Sequence, residues 1–184
     1  MPGCGKSTVG RQLARRLDIP FVDSDHAIEQ RLGCSIREYF ERQGEARFRE
    51  VETDVLTELA RQTEGVLSTG GGSVLSEQNR ALLRQTGPVF YLYASPQELF
   101  RRLRHDRKRP LLQVNDPLQR LQDLFALRDP LYRAAAHHVI ESPRPSVGAM
   151  VQGVMQHLER SVEPAQALGV PSPSPVASAA SPSH

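Results

Sequence analysis

Residues 3–10 read Gly-Cys-Gly-Lys-Ser-Thr-Val-Gly (GCGKSTVG), and the fold turns on how they are read. Residues 3–8 match the end of the pattern G-x-x-x-x-G-K-[ST], a loop that cradles phosphate. Gly3 and Gly5 let backbone N–H groups, that of Cys4 among them, close around phosphate oxygens. Val9, Leu13, Ala14 and Leu17 then follow a helical period, so a helix points its positive end at the anion. Lys6 reaches the β- and γ-phosphates, the Ser7 hydroxyl suits Mg²⁺, and Thr8 completes the motif. A glycine-rich turn with a chance lysine does not account for this order of residues.

The pattern's first glycine would fall at position zero, and the strand that feeds such a loop would come before it. Neither is among the 184 residues. A buried central strand supplies four or five apolar side chains at about 1.5–3 kcal/mol each, against a net stability of about 5–15 kcal/mol. The expectation is a native start upstream of Met1, this start being mis-assigned or truncated. Translation of the upstream reading frame tests it, and a stop codon directly before Met1 would refute it.

Downstream, short strands alternate with helices. Pro20 to Val22 reads as a strand ending at Asp23. Ser35 and Glu38 form a capping box that opens a helix. From Glu45 to Gln62, residues Phe48, Val51, Val55, Leu56 and Leu59 line one helical face. Val66 to Ser68 reads as a buried strand before three glycines, and Val89 to Tyr93 as another strand. Ser95-Pro96-Gln97-Glu98 and Asp116-Pro117 each cap a helix. Asp129-Pro130 is expected to end or kink the second of these. His138 to Glu141 reads as a last strand, and Val147, Met150, Val151, Val154, Met155 and Leu158 as a closing amphipathic helix. The pattern predicts an α/β fold with a mainly parallel sheet flanked by helices, its first central strand missing. The polar, basic segment of about 105–115 reads as a lid.

Composition sets the outer limits. A chain of 184 residues suits one domain. A net charge of +2 does not call for nucleic acid, and no run approaches the roughly 20 apolar residues of a membrane span. Met1 leads straight into the basic loop rather than into a signal peptide. Cys4 and Cys34 form neither a disulfide framework nor a metal set and suit a reducing, cytoplasmic setting; Cys4 is expected to react if exposed. In residues 163–184, Pro, Ser and Ala make up 15 of the 22 positions, so this segment reads as a disordered tail behind a domain of residues 1–162.

Four further features narrow the chemistry. Asp23-Ser24-Asp25 follows a strand, and in an extended segment both carboxylates face one pocket. Arg49 lies in Phe48-Arg49-Glu50, Gly70-Gly71-Gly72 follows the strand at Ser68, and Arg128 opens Arg128-Asp129-Pro130-Leu131-Tyr132. Each is weak alone, since turns, surface arginines and glycine loops are common. Behind a phosphate loop, their joint occurrence is specific.

With GCGKSTVG, FVDSD, FRE, STGGG, RKRPLL and RDPLY, the sequence resembles the shikimate kinases, relatives of the nucleoside monophosphate kinases, over nearly all of residues 1–160. The resemblance implies a P-loop kinase fold and phosphoryl transfer from ATP to the 3-hydroxyl of shikimate, on the route to chorismate and aromatic amino acids. It assigns Lys6 to the phosphates, Ser7 and Asp23 to Mg²⁺, and Asp25 to the reacting hydroxyl, as its base. It gives Arg49 and Arg128 the shikimate carboxylate, and Gly70, Gly71 and Gly72 close backbone contact with the substrate. Arg109 becomes a lid arginine on the ATP phosphates, and Arg144 lies near the adenine-contacting loop. A monomer acting on ATP and shikimate in the cytoplasm is expected, without nucleic acid or membrane. Two alternatives compete: a gluconate or nucleotide kinase, and an inactive P-loop protein if the short N-terminus is genuine.

The chemistry fits these roles. A planar guanidinium pairs with a carboxylate bidentately. A carboxylate within reach of a hydroxyl orients it for in-line attack, and cations stabilise the charge on the transferring group. The basic run Arg101 to Lys108 is otherwise read as solvated surface, and His137-His138 as strand residues on opposite faces rather than a metal pair.

Overall fold

A computed structural model describes residues 1–103, 114, 116–141 and 146–167, with side chains up to residue 160. Helix α1 (Lys6–Leu17) follows the phosphate loop, then strand β1 (Phe21–Asp23) and helix α2 (Ser24–Leu32). Helix α3 (Ile36–Gln62) breaks at Gly44, where φ is 79° and ψ 172°, so it is two helices joined at a kink. Strand β2 (Val66–Ser68), a 3₁₀ turn (Ser73–Leu75), helix α4 (Glu77–Thr86) and strand β3 (Phe90–Leu92) come next. Helices α5 (Pro96–Leu103) and α6 (Pro117–Ala135), strand β4 (His138–Ile140) and helix α7 (Val147–Ala167) complete the order.

The predicted caps form. Ser35 and Glu38 close a reciprocal capping box, and the Asp116 side chain accepts from the Gln119 amide. One expectation fails. Ser24 and Asp25 are not extended: Asp23 is the N-cap of α2, its side chain accepting from the Asp25 amide, so Asp25 sits in the first helical turn. Of the two outcomes expected at Asp129-Pro130, an end or a kink, the end does not occur: helix α6 runs through Pro130 to Ala135. The ring removes one helical hydrogen bond, a loss of about 3 kcal/mol or more. Burial of Tyr132 and Ala135, and the bonds Asp129 accepts from Tyr91 and Arg133, hold the helix across it.

The strands form two parallel pairs. Phe21, Val22 and Asp23 of β1 pair with Val66, Leu67 and Ser68 of β2. Phe90, Tyr91 and Leu92 of β3 pair with His138, Val139 and Ile140 of β4. Among the described residues the pairs do not join. An open slot of about 580 Å³, lined by β2, β3 and residues of α1 and α7, separates them. Among the described residues no strand lies in it.

Two cores result. The larger packs Val9 and Leu13 of α1, Leu99 of α5, Leu121 and Leu124 of α6, and Met150, Val151 and Val154 of α7 around β3 and β4. The smaller packs Ile28 of α2 against Phe48 and Val55 of α3. This second core fixes the helices that carry Asp25 and Arg49, whereas the first fixes the phosphate loop and α6. Helix α7 overruns the boundary expected at residue 162. Residues 168–184, Arg109, Arg144 and nearly all of the expected lid lie outside the described residues.

Candidate active site

The phosphate loop ends at Gly5, whose φ of 90° is a left-handed conformation that a side chain would strain. Gly5 caps α1 without any side-chain bond, so the first amides of the helix face an incoming anion unblocked. Lys6 lies at this mouth. Its Nζ donates to the Met1 carbonyl at 3.2 Å and sits 4.0 Å from the Cys4 sulfur. Cys4 is buried at 4 % exposure, so the condition set for its reactivity is not met. Thr8 is exposed on the first turn of α1.

Ser7 and Asp23 meet directly: Ser7 Oγ donates to Asp23 Oδ2 at 2.6 Å. The other Asp23 oxygen accepts from the Asp25 amide at 3.1 Å. Asp25 lies beside the loop at Gly70, where an added Cβ would stand 2.5 Å from Asp25 Oδ1. Solvent reaches this carboxyl, yet protein surrounds much of it, and desolvation leads in pushing its pKa up to about 6. Asp23 and Glu52 push the same way and Lys6 opposes them. A carboxyl poised there is ionised at neutral pH and basic enough to take a hydroxyl proton.

Arg49 and Arg128 approach the glycine loop from two helices. The Arg49 guanidinium packs on Gly72, where a Cβ would lie 2.6 Å from its Nη1; only glycine admits that approach. Burial works against its charge, but Glu52 and Glu45 outweigh it and raise the pKa. Arg128 Nη1 donates to the Gly71 carbonyl at 3.4 Å. Its Nε is buried without a hydrogen-bond partner among the described residues, which marks a place for a ligand acceptor.

The structure thus brings together Lys6, Ser7, Asp23, Asp25, Arg49, Gly70, Gly71, Gly72 and Arg128. It also shows supports that sequence reasoning missed. Glu52, 1 % exposed, accepts from Arg49 Nη1 at 2.6 Å and from Ser73 Oγ at 3.0 Å. Ser24 is fully buried and its Oγ accepts from the Gly70 amide at 3.0 Å. The signal for Glu52 was available: it falls on the apolar face of α3, between Phe48 and Val55, where an unpaired acid is out of place.

A family model described as shikimate kinase matches residues 2–159. The chain belongs to the shikimate kinase family. It is 55% identical to the shikimate kinase of Paracidovorax citrulli over 177 residues, covering 95% of this chain and 93% of that one. It is 52% identical to that of Ralstonia nicotianae, over 85% of this chain and 83% of the relative. Among solved structures, the Acinetobacter baumannii shikimate kinase in complex with shikimate superposes with a TM-score of 0.81. It is 44% identical to this chain and is matched over 87% of this chain and 89% of that one. The Aquifex aeolicus enzyme, 33% identical, superposes with a TM-score of 0.75 over 88% and 94%. ATP-dependent phosphorylation of shikimate is therefore this chain's activity, and the gluconate, nucleotide and inactive alternatives fall away.

Proposed function

We propose that the clustered residues perform this reaction as follows. Lys6 and the amides of the phosphate loop hold the β- and γ-phosphates of ATP. Ser7 Oγ and Asp23 Oδ2, two hard oxygen donors side by side, fit Mg²⁺. Among the described residues no group of three or more acidic, His or Cys side chains is assembled for a metal. When bound, Mg²⁺ neutralises charge developing between the β- and γ-phosphates.

Arg49 and the buried Arg128 Nε grip the shikimate carboxylate, with Gly70 to Gly72 against the ring. Asp25 accepts the proton of the 3-hydroxyl as its oxygen bonds to the γ-phosphorus and the bond to ADP breaks. Arg109, outside the described residues, is assigned to the ATP phosphates and Arg144 to the adenine side on the family pattern alone. A cytoplasmic monomer is proposed as well; no described helix is long and apolar enough to cross a membrane, and both cysteines are free.

The observation that carries this reading is the meeting of Asp25, Arg49 and Arg128 at one glycine loop beside the phosphate loop. Coupled ADP release across shikimate, gluconate and nucleoside monophosphates tests it, with Asp25→Asn alongside. Shikimate alone should support turnover, and Asp25→Asn should lose most of it while still binding ATP. Near-normal turnover in that variant would remove Asp25 from the base role.

A further inference from the structure

Tyr132 lies on α6, one helical turn beyond Arg128, and is 8 % exposed. Its hydroxyl donates to the Gly71 carbonyl at 2.6 Å, much shorter than the 3.4 Å of the Arg128 contact to the same oxygen. Gly71 and Gly72 are joined by a trans peptide bond. In a trans peptide the C=O and N–H point in opposite directions. The bond that draws the Gly71 carbonyl toward α6 therefore turns the Gly72 N–H the other way.

Among the described residues nothing accepts that N–H, and the Arg49 guanidinium packs on the same glycine. A planar ring cannot drift where Tyr132 sits. It stacks on Tyr91 with centroids 4.9 Å apart and planes 25° from parallel. Tyr91 is itself tied to Asp129 by its hydroxyl at 3.0 Å. Burial pushes the Tyr132 hydroxyl up to about 12, so it remains a donor throughout the working pH range.

We infer that Tyr132 is a positioning residue: through the Gly71 carbonyl it aims the Gly72 N–H at the substrate carboxylate beside Arg49. Tyr132 touches neither substrate nor ATP in this role. The inference rests on the proposed seating of shikimate at Arg49 and Arg128.

Tyr132→Phe keeps the ring and its stacking and removes only the hydroxyl. Losing one hydrogen bond that orients a substrate donor should raise the KM for shikimate about five- to tenfold, with the KM for ATP within about twofold of wild type. Exchange of the Gly72 amide proton, followed by NMR with and without shikimate, should show protection on binding in the wild type and much less in the variant. Thr86→Val serves as the control: its hydroxyl bonds the Leu82 carbonyl at the end of α4 and not the loop, so its loss should leave the KM for shikimate within about twofold of wild type. A shikimate KM within about twofold of wild type in Tyr132→Phe would overturn the inference. Equal rises in both KM values, or Gly72 protection identical in the two proteins, would do the same. If the wild type showed no saturable dependence on shikimate, the seating itself would fail, which is a separable result.

Discussion

Replacing Glu52 by Gln tests the link between packing and binding most directly. The glutamate is buried and holds Arg49 at 2.6 Å and Ser73 at 3.0 Å. Gln preserves shape and keeps an acceptor for Ser73, but it loses the charge-assisted bond to Arg49. Arg49 is not stranded, because Glu45 still meets it at 2.9 Å on the solvent side. The cost should fall below the roughly 3–5 kcal/mol of orphaning a buried charge, near the ~1.5–3 kcal/mol of one hydrogen bond to a charged group. At ~2–4 °C per kcal/mol for a domain of this size, Tm should drop by about 4–10 °C. Arg49 would then be tethered only from its exposed side, so the KM for shikimate should rise about tenfold, equivalent to ~1.4 kcal/mol. The negative charge of Glu52 also helps to raise the Asp25 pKa, so the acid limb of kcat/KM should move to lower pH. Thermal melts and coupled ADP release between about pH 5 and 8 measure all three. A lowered Tm with an unchanged shikimate KM would show that Glu52 steadies the fold without placing Arg49. An unmoved Tm would refute the energetic argument altogether.

Three other expectations follow from the same geometry. In the wild type, kcat/KM for shikimate should fall below about pH 6, where Asp25 gains its proton, and a profile flat across that region would take the base role from it. Because folding raises this pKa, the group favours the fold when protonated; that contribution is present below pH 3.8 and lost as the pH rises through about 6. Gly72→Ala meets no backbone strain at φ −92°, but its Cβ would stand 2.6 Å from Arg49 Nη1. Arg49 should swing away and weaken shikimate use about tenfold or more while ATP binding holds; unaltered shikimate kinetics would show that Arg49 need not lie on the loop. Chelation of divalent cations should abolish ADP release and added Mg²⁺ restore it, whereas turnover that survives chelation would remove Ser7 and Asp23 from metal binding.

The strands and caps were legible because each is a local matter. Val66 to Ser68, Phe90 to Leu92 and His138 to Ile140 are short runs rich in β-branched or apolar residues, bounded by turn residues. Ser35 with Glu38 and Asp116 with Pro117 carry their own start signals. The state of residues 23–25 was misread because a carboxylate after a strand serves equally as a pocket wall or a helix cap; the Asp25 amide bond chose the cap. The helix continues past Pro130 because the local cost is offset by distant partners, Tyr91 above all. The site residues were legible as types, since phosphate loops and arginine clamps depend on chemistry visible in the chain. Their supports were not. Ser24 and Tyr132 act through contacts to Gly70 and Gly71, 46 and 61 positions away in sequence, and no spacing rule reaches that far.

Asp23 divides its two oxygens between the phosphate loop and helix α2. One is bound by Ser7 at the nucleotide mouth, and the other starts the helix that carries Asp25, the proposed base. The carboxylate works as a yoke: any force that draws it toward a cation is felt two residues later as a change in where Asp25 stands. Nucleotide chemistry and acceptor chemistry in this enzyme therefore cannot be tuned independently. Selection for a new acceptor alcohol would have to work around this position.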